Sequence, residues 1–163
     1  MQEQDLDAVF HVQTQAYVPQ MVESMVLLRE RLQVAANCCW VACDALGAGA
    51  YLMSYPSVSG KISRLGESFW VAAMPDTLYL HDVAVGQRLA GKGIGVALIQ
   101  QALQYARQQG WRHVGLVSVQ DTLAFWQKQG FSVCEGPPPG QEVALQTYSG
   151  VAYYCERKLD FPD

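Results

Sequence analysis

The chain has 163 residues, of which 50% are hydrophobic and 16% are charged, and its formal net charge is −4. This composition excludes a disordered chain, and an acidic balance without a basic run argues against a nucleic-acid partner. No apolar stretch reaches 18 residues, and the start of the chain lacks the features of a signal peptide. Five cysteines without a C-x-x-C pair indicate free thiols in a reducing compartment. We therefore expect a cytoplasmic protein with no metal site and no membrane partner, folded as a single domain over residues 1–163.

The predicted elements alternate along the chain without a linker or an internal repeat. Two helices, at 5–17 and 22–34, precede a hairpin of strands 38–43 and 51–55 around a glycine turn at 47–49, and a long loop at 56–76 follows. A strand at 77–85 then leads to a helix at 94–109 that Gly110 closes. The remaining elements are a strand at 113–119, a helix at 121–129 capped by Asp121 and ended by Gly130, and strands at 131–135 and 151–157. This order predicts an α/β domain on a mixed sheet.

The most informative segment joins the predicted strand at 77–85 to the helix after it. The strand ends in Val83-Ala-Val85, and Ala90-Gly-Lys-Gly-Ile-Gly95 opens the helix. Unpaired backbone N–H groups and the helix dipole make a helix N-terminus an anion site, and glycines let the anion approach the backbone. The segment therefore predicts a ligand that carries phosphates. A glycine turn without any ligand is the alternative, although each glycine there costs roughly 0.5–1 kcal/mol against alanine.

Three phosphate-binding templates compete for this segment. Residues 86–92 fit the G-x-x-x-x-G-K of a nucleotide P-loop, but Gly93 stands where Ser or Thr would hold Mg²⁺. The dinucleotide fingerprint G-x-G-x-x-G also fails. Gly91 and Gly93 match its first two glycines, but Gly95 comes one position too early for the third, where the chain has Val96. The third template, Q/R-x-x-G-x-G/A after a strand ending in V-x-V, is that of the GNAT superfamily of N-acetyltransferases. The chain resembles it at Gly93 and Gly95 and has Ala90 where that family has Gln or Arg.

A second segment strengthens the resemblance to this family. Thr122-Leu-Ala-Phe-Trp-Gln-Lys-Gln-Gly-Phe131 is similar to the GNAT helix A-x-x-F-Y-x-K-x-G-F, which borders the coenzyme A thiol. The two motifs lie in the family's order, and the resemblance covers roughly residues 5–158. It implies a GNAT-like α/β fold: a mixed, mostly antiparallel central β-sheet with helices on both faces and a V-shaped splay between the fourth and fifth strands. The first predicted helix begins almost at Met1, so we expect the family's first strand to be short or missing.

The resemblance also implies a role for each matched residue toward acetyl-CoA. Backbone groups at the strand end would hold the pantetheine arm, and the N–H of Val83 would also stabilise the thioester oxyanion. The glycine turn would hold the pyrophosphate, while Ser118 and Gln120 would line the slot and Trp126 would lie beside the cofactor. Lys92 would add a charge-assisted contact to the pyrophosphate; the alternative is that Lys92 is a solvated lysine of the loop. The implied cofactor-binding residues are Val83, Ala84, Val85, Gly91, Lys92, Gly93, Ile94, Gly95, Val96, Gln120 and Trp126.

Transfer to an amine requires a group that takes the ammonium proton, because a charged amine has no lone pair to attack a thioester. His81 is the first candidate, since an imidazole ordinarily titrates near neutral pH, and Asp82 is the second. Strand alternation places Tyr79, His81 and Val83 on one face and Asp82 on the other, unless a bulge intervenes. The structural alternative for His81 is a histidine hydrogen-bonded to a backbone carbonyl. The structural alternative for Asp82 is a carboxylate that caps a neighbouring loop.

The chain departs from the family in the second motif. Many GNAT enzymes carry there a tyrosine that protonates the departing thiolate, whereas this chain has Trp126, whose indole N–H is no acid near neutral pH. Water or another tyrosine, such as Tyr148, Tyr153 or Tyr154, would serve instead.

The function that follows is acetyl-CoA-dependent acetylation of a primary amine, on a small molecule or a peptide, by direct transfer in a ternary complex. Acetyl-CoA is the expected acyl donor, and the expected catalytic residues are His81, Asp82 and Val83. Two alternatives stay open: a noncatalytic acyl-CoA-binding or regulatory module, which Trp126 and Ala90 permit, and a P-loop phosphotransferase. The sequence identifies no particular acceptor and leaves a homodimer open.

Overall fold

The computed structural model describes residues 1–161 of the chain. The strands are β1 (Cys39–Asp44), β2 (Gly47–Ser57), β3 (Thr77–Val85), β4 (His113–Ser118), β5 (Ser132–Val133) and β6 (Tyr153–Lys158). The helices are α1 (Leu6–Ala16), α2 (Met25–Ala35), α3 (Ile94–Gln108), α4 (Leu123–Lys128) and α5 (Glu142–Leu145). The six strands form one sheet in the order β1-β2-β3-β4-β6-β5.

The sheet is mixed and mostly antiparallel, because only β3 and β4 run parallel. Helix α2 lies over the face that carries Tyr55: its Arg31 sits above the Phe69 ring, and that ring stacks on Tyr55 at 4.3 Å. Helix α3 covers the opposite face, where its Tyr105 meets Trp40 of β1 edge-on at 5.5 Å. These observations confirm the predicted fold class.

Strands β3 and β4 are paired over only half of their length. Their register begins with Thr77 opposite His113 and ends with Leu80 opposite Leu116. Beyond that point β4 continues along β6, whereas β3 continues along β2 as far as Val85. The two parallel strands therefore separate, which confirms the predicted V-shaped splay. It lies between the third and fourth strands of residues 1–161, because a 3-10 turn at Glu3–Asp5, and no strand, precedes α1 there.

The hairpin turn differs from the prediction. Gly47 pairs with Asp44, so the turn lies at Ala45-Leu46, and Gly47 and Gly49 belong to β2. The Asp44 side chain accepts a hydrogen bond from the backbone N–H of Leu46 at 2.8 Å, which favours a turn at this earlier point. As a result β2 is longer than the predicted strand at 51–55.

Helix α2 begins three residues later than the predicted start at residue 22. Ser24 has an extended backbone, and its Oγ accepts a hydrogen bond from the N–H of Leu27 at 3.2 Å, which makes it the N-cap. Val22 and Glu23 therefore belong to the segment before the helix. Glu23 is only 6% exposed, so it lies inside the protein.

The region after β4 also departs from the prediction. Helix α4 begins at Leu123 without a side-chain cap, so Asp121 does not cap it. Instead Gln120 and Asp121 have φ values of 50° and 57°, a left-handed conformation that is uncommon for residues other than glycine. The sequence analysis did not predict α5, and it made β5 and β6 longer than they are. Gly110 and Gly130, at φ values of 76° and 81°, follow α3 and α4 as predicted.

Replacing the N-cap of α2 tests why Glu23 lies outside the helix. We expect Ser24→Ala to lower the free energy of unfolding by about 1 kcal/mol, because the N–H of Leu27 loses its acceptor. Urea unfolding with an unchanged m-value would measure this loss. Thr14→Ala is the matched control, since the Thr14 hydroxyl donates only to a carbonyl of its own exposed helix turn. Equal stabilities of both variants would show that Ser24 does not cap α2.

Candidate active site

The splay between β3 and β4 opens into a cleft of about 450 Å³. One wall of the cleft is formed by residues 80–85 of β3. The opposite wall is formed by β4 and the residues just after it, namely Leu116, Val117, Val119 and Gln120. The lining also includes the glycine turn before α3 and, from other parts of the chain, the side chains Tyr17, Met21, Glu23, Leu65 and Tyr148.

Most of the residues that the sequence assigned to a cofactor meet in this cleft. The lining residues among them are Val83, Ala84, Val85, Gly91, Gly93, Ile94, Gly95, Val96, Gln120 and Trp126. Lys92 is exposed and does not line the cleft, and the Ser118 hydroxyl lies 3.2 Å from that of Thr122 instead. The residues predicted from the sequence therefore lie in one site, whereas the role of each residue in that site stays a prediction.

The N-terminus of α3 leaves backbone N–H groups free toward an anion. Helical hydrogen bonding begins with the N–H of Ala97 donating to the carbonyl of Gly93 at 3.0 Å, and no side chain caps the helix. The N–H groups of residues 94–96 therefore have no acceptor within the helix. Gly91 and Gly93 have φ values of 73° and 74°, and a Cβ at either would meet no atom within 4 Å. The space into which that Cβ would project suits a pyrophosphate held by the backbone.

Strand β3 carries a bulge at His81. Met53 of β2 pairs with Asp82, but the next residue, Ser54, pairs with Leu80, which leaves His81 as the extra residue. Because of this bulge Asp82 lies on the same face as Tyr79, and strict alternation does not hold. The bulge that the sequence analysis allowed is thus present, and it places the two candidate bases next to each other on one face.

The imidazole of His81 is part of a buried charged cluster. Its Nε2 lies 3.0 Å from Oε2 of Glu23, and Arg31 forms a bidentate ion pair with the same carboxylate, with Nη2 at 2.7 Å from Oε1. The side chains of His81, Glu23 and Arg31 are 1%, 4% and 0% exposed. Burial alone would raise the pKa of Glu23, but His81 and Arg31 beside it hold that pKa well below its usual value. Glu23 is therefore a carboxylate under ordinary conditions.

The same cluster forms hydrogen bonds to the long loop at residues 58–76. The N–H of Gly66 donates to Oε1 of Glu23 at 2.7 Å, and Arg31 donates to the carbonyl of Glu67 at 2.6 Å. From the other side the Tyr148 hydroxyl donates to the carbonyl of Ser63 at 2.6 Å. The loop is thus tied at several points to residues that line the cleft, and Leu65 reaches into the lining.

Asp82 has different surroundings from His81. The Tyr51 hydroxyl donates to its Oδ2, and its Oδ1 has no partner among the described residues. Burial raises the pKa of Asp82, and the neighbouring hydroxyls of Tyr17 and Tyr51 oppose that rise only in part. Asp82 caps no loop, contrary to the structural alternative considered for it. Nearby, the Tyr17 hydroxyl donates to the carbonyl of Val83 at 3.2 Å.

Only one of the three tyrosines named as thiolate acids lies in the cleft. Tyr148 lines it, whereas Tyr153 is exposed and Tyr154 donates to Glu156 at 2.8 Å, away from the cleft. Tyr17 also lines the cleft, and the sequence analysis missed it. Burial raises the pKa of both Tyr17 and Tyr148, which makes either hydroxyl a weaker acid than an ordinary tyrosine. Trp126 is buried against Phe131 at 5.4 Å and borders the cleft.

Sequence reasoning missed Glu23 and Arg31, although the sequence contained a signal for Arg31. Arg31 falls on the apolar stripe of Leu28, Leu32 and Ala35, and all four residues are buried. A charged residue at such a position requires a buried partner. The N-cap signal of Ser24 would have placed Glu23 just outside the helix, within reach of that partner.

Splayed parallel strands beside an uncapped, glycine-rich helix N-terminus are the arrangement that the resemblance to GNAT N-acetyltransferases implies. The chain belongs to the GNAT acetyltransferase family, because the model described as "Acetyltransferase (GNAT) family" matches residues 6–131. A search of curated proteins gave no match.

Solved structures share the fold over nearly the whole chain at low sequence identity. The loading GNATL domain of CurA from Lyngbya majuscula has a TM-score of 0.76 and 13% identity, covering 97% of this chain and 94% of that one. The PaiA N-acetyltransferase from Thermoplasma acidophilum, in complex with coenzyme A, has a TM-score of 0.67 and 16% identity over 98% and 96%. The ribosomal-protein-S18-alanine N-acetyltransferase from Escherichia coli has a TM-score of 0.68 and 14% identity over 100% and 93%.

Two further findings concern residues 1–161. Within this range no group of three or more His, Cys, Asp and Glu side chains is placed to hold a metal ion. None of the helices in the same range is long and apolar enough to cross a membrane.

Removing the buried cation tests the electrostatics of the cluster. We expect Arg31→Met to lower the free energy of unfolding by about 3–5 kcal/mol at pH 7, because the Glu23 carboxylate stays buried without its partner. The lowered pKa of Glu23 means that its pairing stabilises the fold at neutral pH and is lost as the pH falls through that pKa. Once Glu23 is protonated in the variant, the difference between the two proteins shrinks.

Urea unfolding at pH 7 and at pH 4 would measure both effects. The control is Arg64→Met, which breaks the exposed ion pair with Glu67 and should change stability little. An Arg31→Met protein as stable as the Arg64→Met protein at pH 7 would contradict a buried, ionised Glu23.

Proposed function

We propose that the protein transfers an acetyl group from acetyl-CoA to a primary amine of a small molecule or a peptide, directly and within a ternary complex. The observation that carries this proposal is the continuity of one cleft from the free N–H groups at the start of α3 to His81 in β3. Family membership supports it, because the chain belongs to the GNAT acetyltransferases.

The residues present fit coenzyme A at the phosphate end. The N–H groups of residues 94–96 would bind the pyrophosphate, and the left-handed Gly91 and Gly93 leave the space that a phosphate needs. Arg88 is not free to help, since its guanidinium donates to Asp44 at 2.7 Å and to the carbonyl of Gly47 at 2.8 Å. Recognition here would therefore depend on the backbone, which explains why Ala90 can replace the Gln or Arg of the family template.

The acyl end of the cofactor would lie along the unpaired half of β3. Val83, Ala84 and Val85 line the cleft beyond the last β3–β4 pair, where the pantetheine arm would lie alongside them. Bound acetyl-CoA supplies an activated thioester. The N–H of Val83 would donate to the thioester oxygen and stabilise the negative charge that develops there. Gln120 and Trp126 would contact the arm from the opposite wall.

His81 would take the proton of the attacking amine, directly or through water. Asp82 is a weaker candidate, because Tyr51 already donates to one of its oxygens. On the leaving side, a thiolate with a pKa near 8.5 departs readily without an acid of its own. Water would therefore protonate it, since burial makes Tyr17 and Tyr148 poor acids.

The lining of the cleft favours an acceptor without a carboxylate. None of its described residues is a lysine or an arginine, and the negative charge of Glu23 is already matched by Arg31. A carboxylate beside the amine would lose its hydration without gaining a partner. Met21, Leu65 and Tyr148 offer apolar contacts instead.

Matched pairs of amines test the acceptor. We expect phenethylamine to be acetylated with a kcat/KM at least tenfold above that of phenylalanine, and isopentylamine to exceed leucine similarly. The product should be quantified by mass spectrometry, because exposed Cys43 would react with a thiol reagent. Preference for the amino acids would contradict the electrostatic argument. Binding of acetyl-CoA without turnover of any amine or peptide would favour the noncatalytic acyl-CoA-binding module.

Ligand-dependent melting tests the choice of cofactor. We expect coenzyme A and acetyl-CoA to raise the Tm in proportion to the logarithm of their concentration, because they bind only the folded state. ATP with Mg²⁺ should leave the Tm unchanged, since the hydroxyl that holds Mg²⁺ in a P-loop is replaced by Gly93. A shift with ATP alone would instead support the phosphotransferase.

The glycine turn provides a sharper test of the cradle. Gly93→Val should weaken acetyl-CoA binding at least tenfold, because a branched side chain would fill the phosphate space and disfavour a φ of 74°. Gly110→Val is the matched control, since Gly110 has a φ of 76° at the far end of the same helix. Calorimetric titration of both variants separates backbone strain from lost binding. Equal affinities in the two folded variants would mean that the turn only joins strand to helix.

A further inference from the structure

The two ring nitrogens of His81 lie in unlike surroundings. Nε2 is 3.0 Å from Oε2 of Glu23, whereas Nδ1 is buried without a hydrogen-bond partner among the described residues. An ionised carboxylate only accepts hydrogen bonds, so the proton of a neutral His81 belongs on Nε2. Nδ1 then carries the free lone pair.

Glu23 is held in the state that this arrangement requires. Arg31 binds both carboxylate oxygens, and the N–H of Gly66 donates to one of them at 2.7 Å. Three segments thus fix the carboxylate against the imidazole: α2 through Arg31, the loop through Gly66, and the residues before α2 that carry Glu23 itself. The Phe69 ring covers the imidazole edge-on at 5.3 Å.

We propose that Glu23 is a positioning residue of the acetyl transfer, which holds His81 in the Nε2-protonated tautomer so that Nδ1 accepts the proton of the amine. This inference rests on the proposed function, in which His81 is the base. The amine N–H proton moves to Nδ1 and the amine lone pair forms the C–N bond. The C–S bond breaks, and its electron pair leaves as the coenzyme A thiolate. Glu23 stabilises the resulting imidazolium, which later releases its proton.

The other groups around His81 do not replace Glu23 in this role. Asp82 is the next residue in β3, but it accepts from Tyr51, and burial disfavours its charged form. Arg31 donates to the same Oε2 of Glu23 that Nε2 of His81 contacts, and a guanidinium has no acceptor atom for the Nε2 proton. Glu23 is the carboxylate within hydrogen-bond distance of the ring, so its removal should change both the tautomer and the charge balance of His81.

A spectroscopic test needs no substrate. The chain has three histidines, so ¹⁵N-histidine labelling gives three sets of ring signals, and His81→Gln assigns the set of His81. We expect the wild-type protein at neutral pH to show Nε2 protonated and Nδ1 unprotonated. In Glu23→Gln the amide can donate as well as accept, so the Nδ1-protonated form should appear. A wild-type spectrum with the proton on Nδ1 would overturn the proposal, even if the variant fails to fold.

Kinetics then test the consequence. Glu23→Gln should lower kcat on the order of 10²-fold, with less than a twofold change in the KM for acetyl-CoA. The acidic limb of its pH–rate profile should move to lower pH, because the imidazolium loses a neighbouring negative charge. In a double-mutant cycle Glu23→Gln should add no loss to that of His81→Ala, since Glu23 acts through His81.

The matched control is Glu156→Gln, because Oε2 of Glu156 lies 3.6 Å from Nδ1 of His113 outside the cleft. This variant should keep the wild-type kcat and pH profile. Additive losses in the cycle, or an unmoved pH profile in Glu23→Gln, would overturn the positioning role while acetyl transfer by the wild type stands. Absence of turnover in the wild type would instead refute the proposed function, and the spectrum would still decide the tautomer.

Discussion

The structure depends on a single buried carboxylate. Glu23 lies outside any helix with a side chain that is 4% exposed, and such a charge is tolerated only when it is paired and hydrogen-bonded. Arg31, the N–H of Gly66 and His81 satisfy it together. Because these partners come from α2, the long loop and β3, one electrostatic requirement fixes the positions of three segments that the sheet itself does not hold together. The side chains that hold these segments together therefore include His81, the proposed base.

In the proposed binding mode, the cleft would combine two kinds of recognition that make different demands on the sequence. At the phosphate end the backbone would provide the contacts, through free N–H groups and left-handed glycines. At the acyl end the parallel strands part after Leu80 and Leu116, and the unpaired edge of β3 faces the opening. The bulge at His81 ends the strict alternation of β3 and brings His81 and Asp82 to one face. Strand geometry thus forms the slot, and the buried side chains beside it include the proposed base.

Local patterns predicted the parts of the molecule that depend on neighbouring residues. The strand at 77–85 and the helix ended by Gly110 follow from hydrophobic period and a glycine at the helix end. Most of the residues expected to bind the cofactor line the cleft, although their roles stay predictions. The charged cluster was missed because its members are far apart in sequence and become partners only through the fold. The late start of α2 depended on one hydrogen bond from Leu27 to Ser24, and the bulge depended on the register with β2. The turn at Ala45-Leu46 was misplaced because the Asp44 side chain, rather than the glycines, determined it.

The central claim is that one cleft holds acyl-CoA by the start of α3 and delivers its thioester to His81. A crystal structure of the protein with coenzyme A would test this claim most directly. We expect the pyrophosphate oxygens within hydrogen-bond distance of the N–H groups of residues 94–96. The pantetheine arm should lie between β3 and β4, with the sulfur at the end of the cleft near His81. Coenzyme A bound outside the splay, or with its sulfur directed away from His81, would contradict the account.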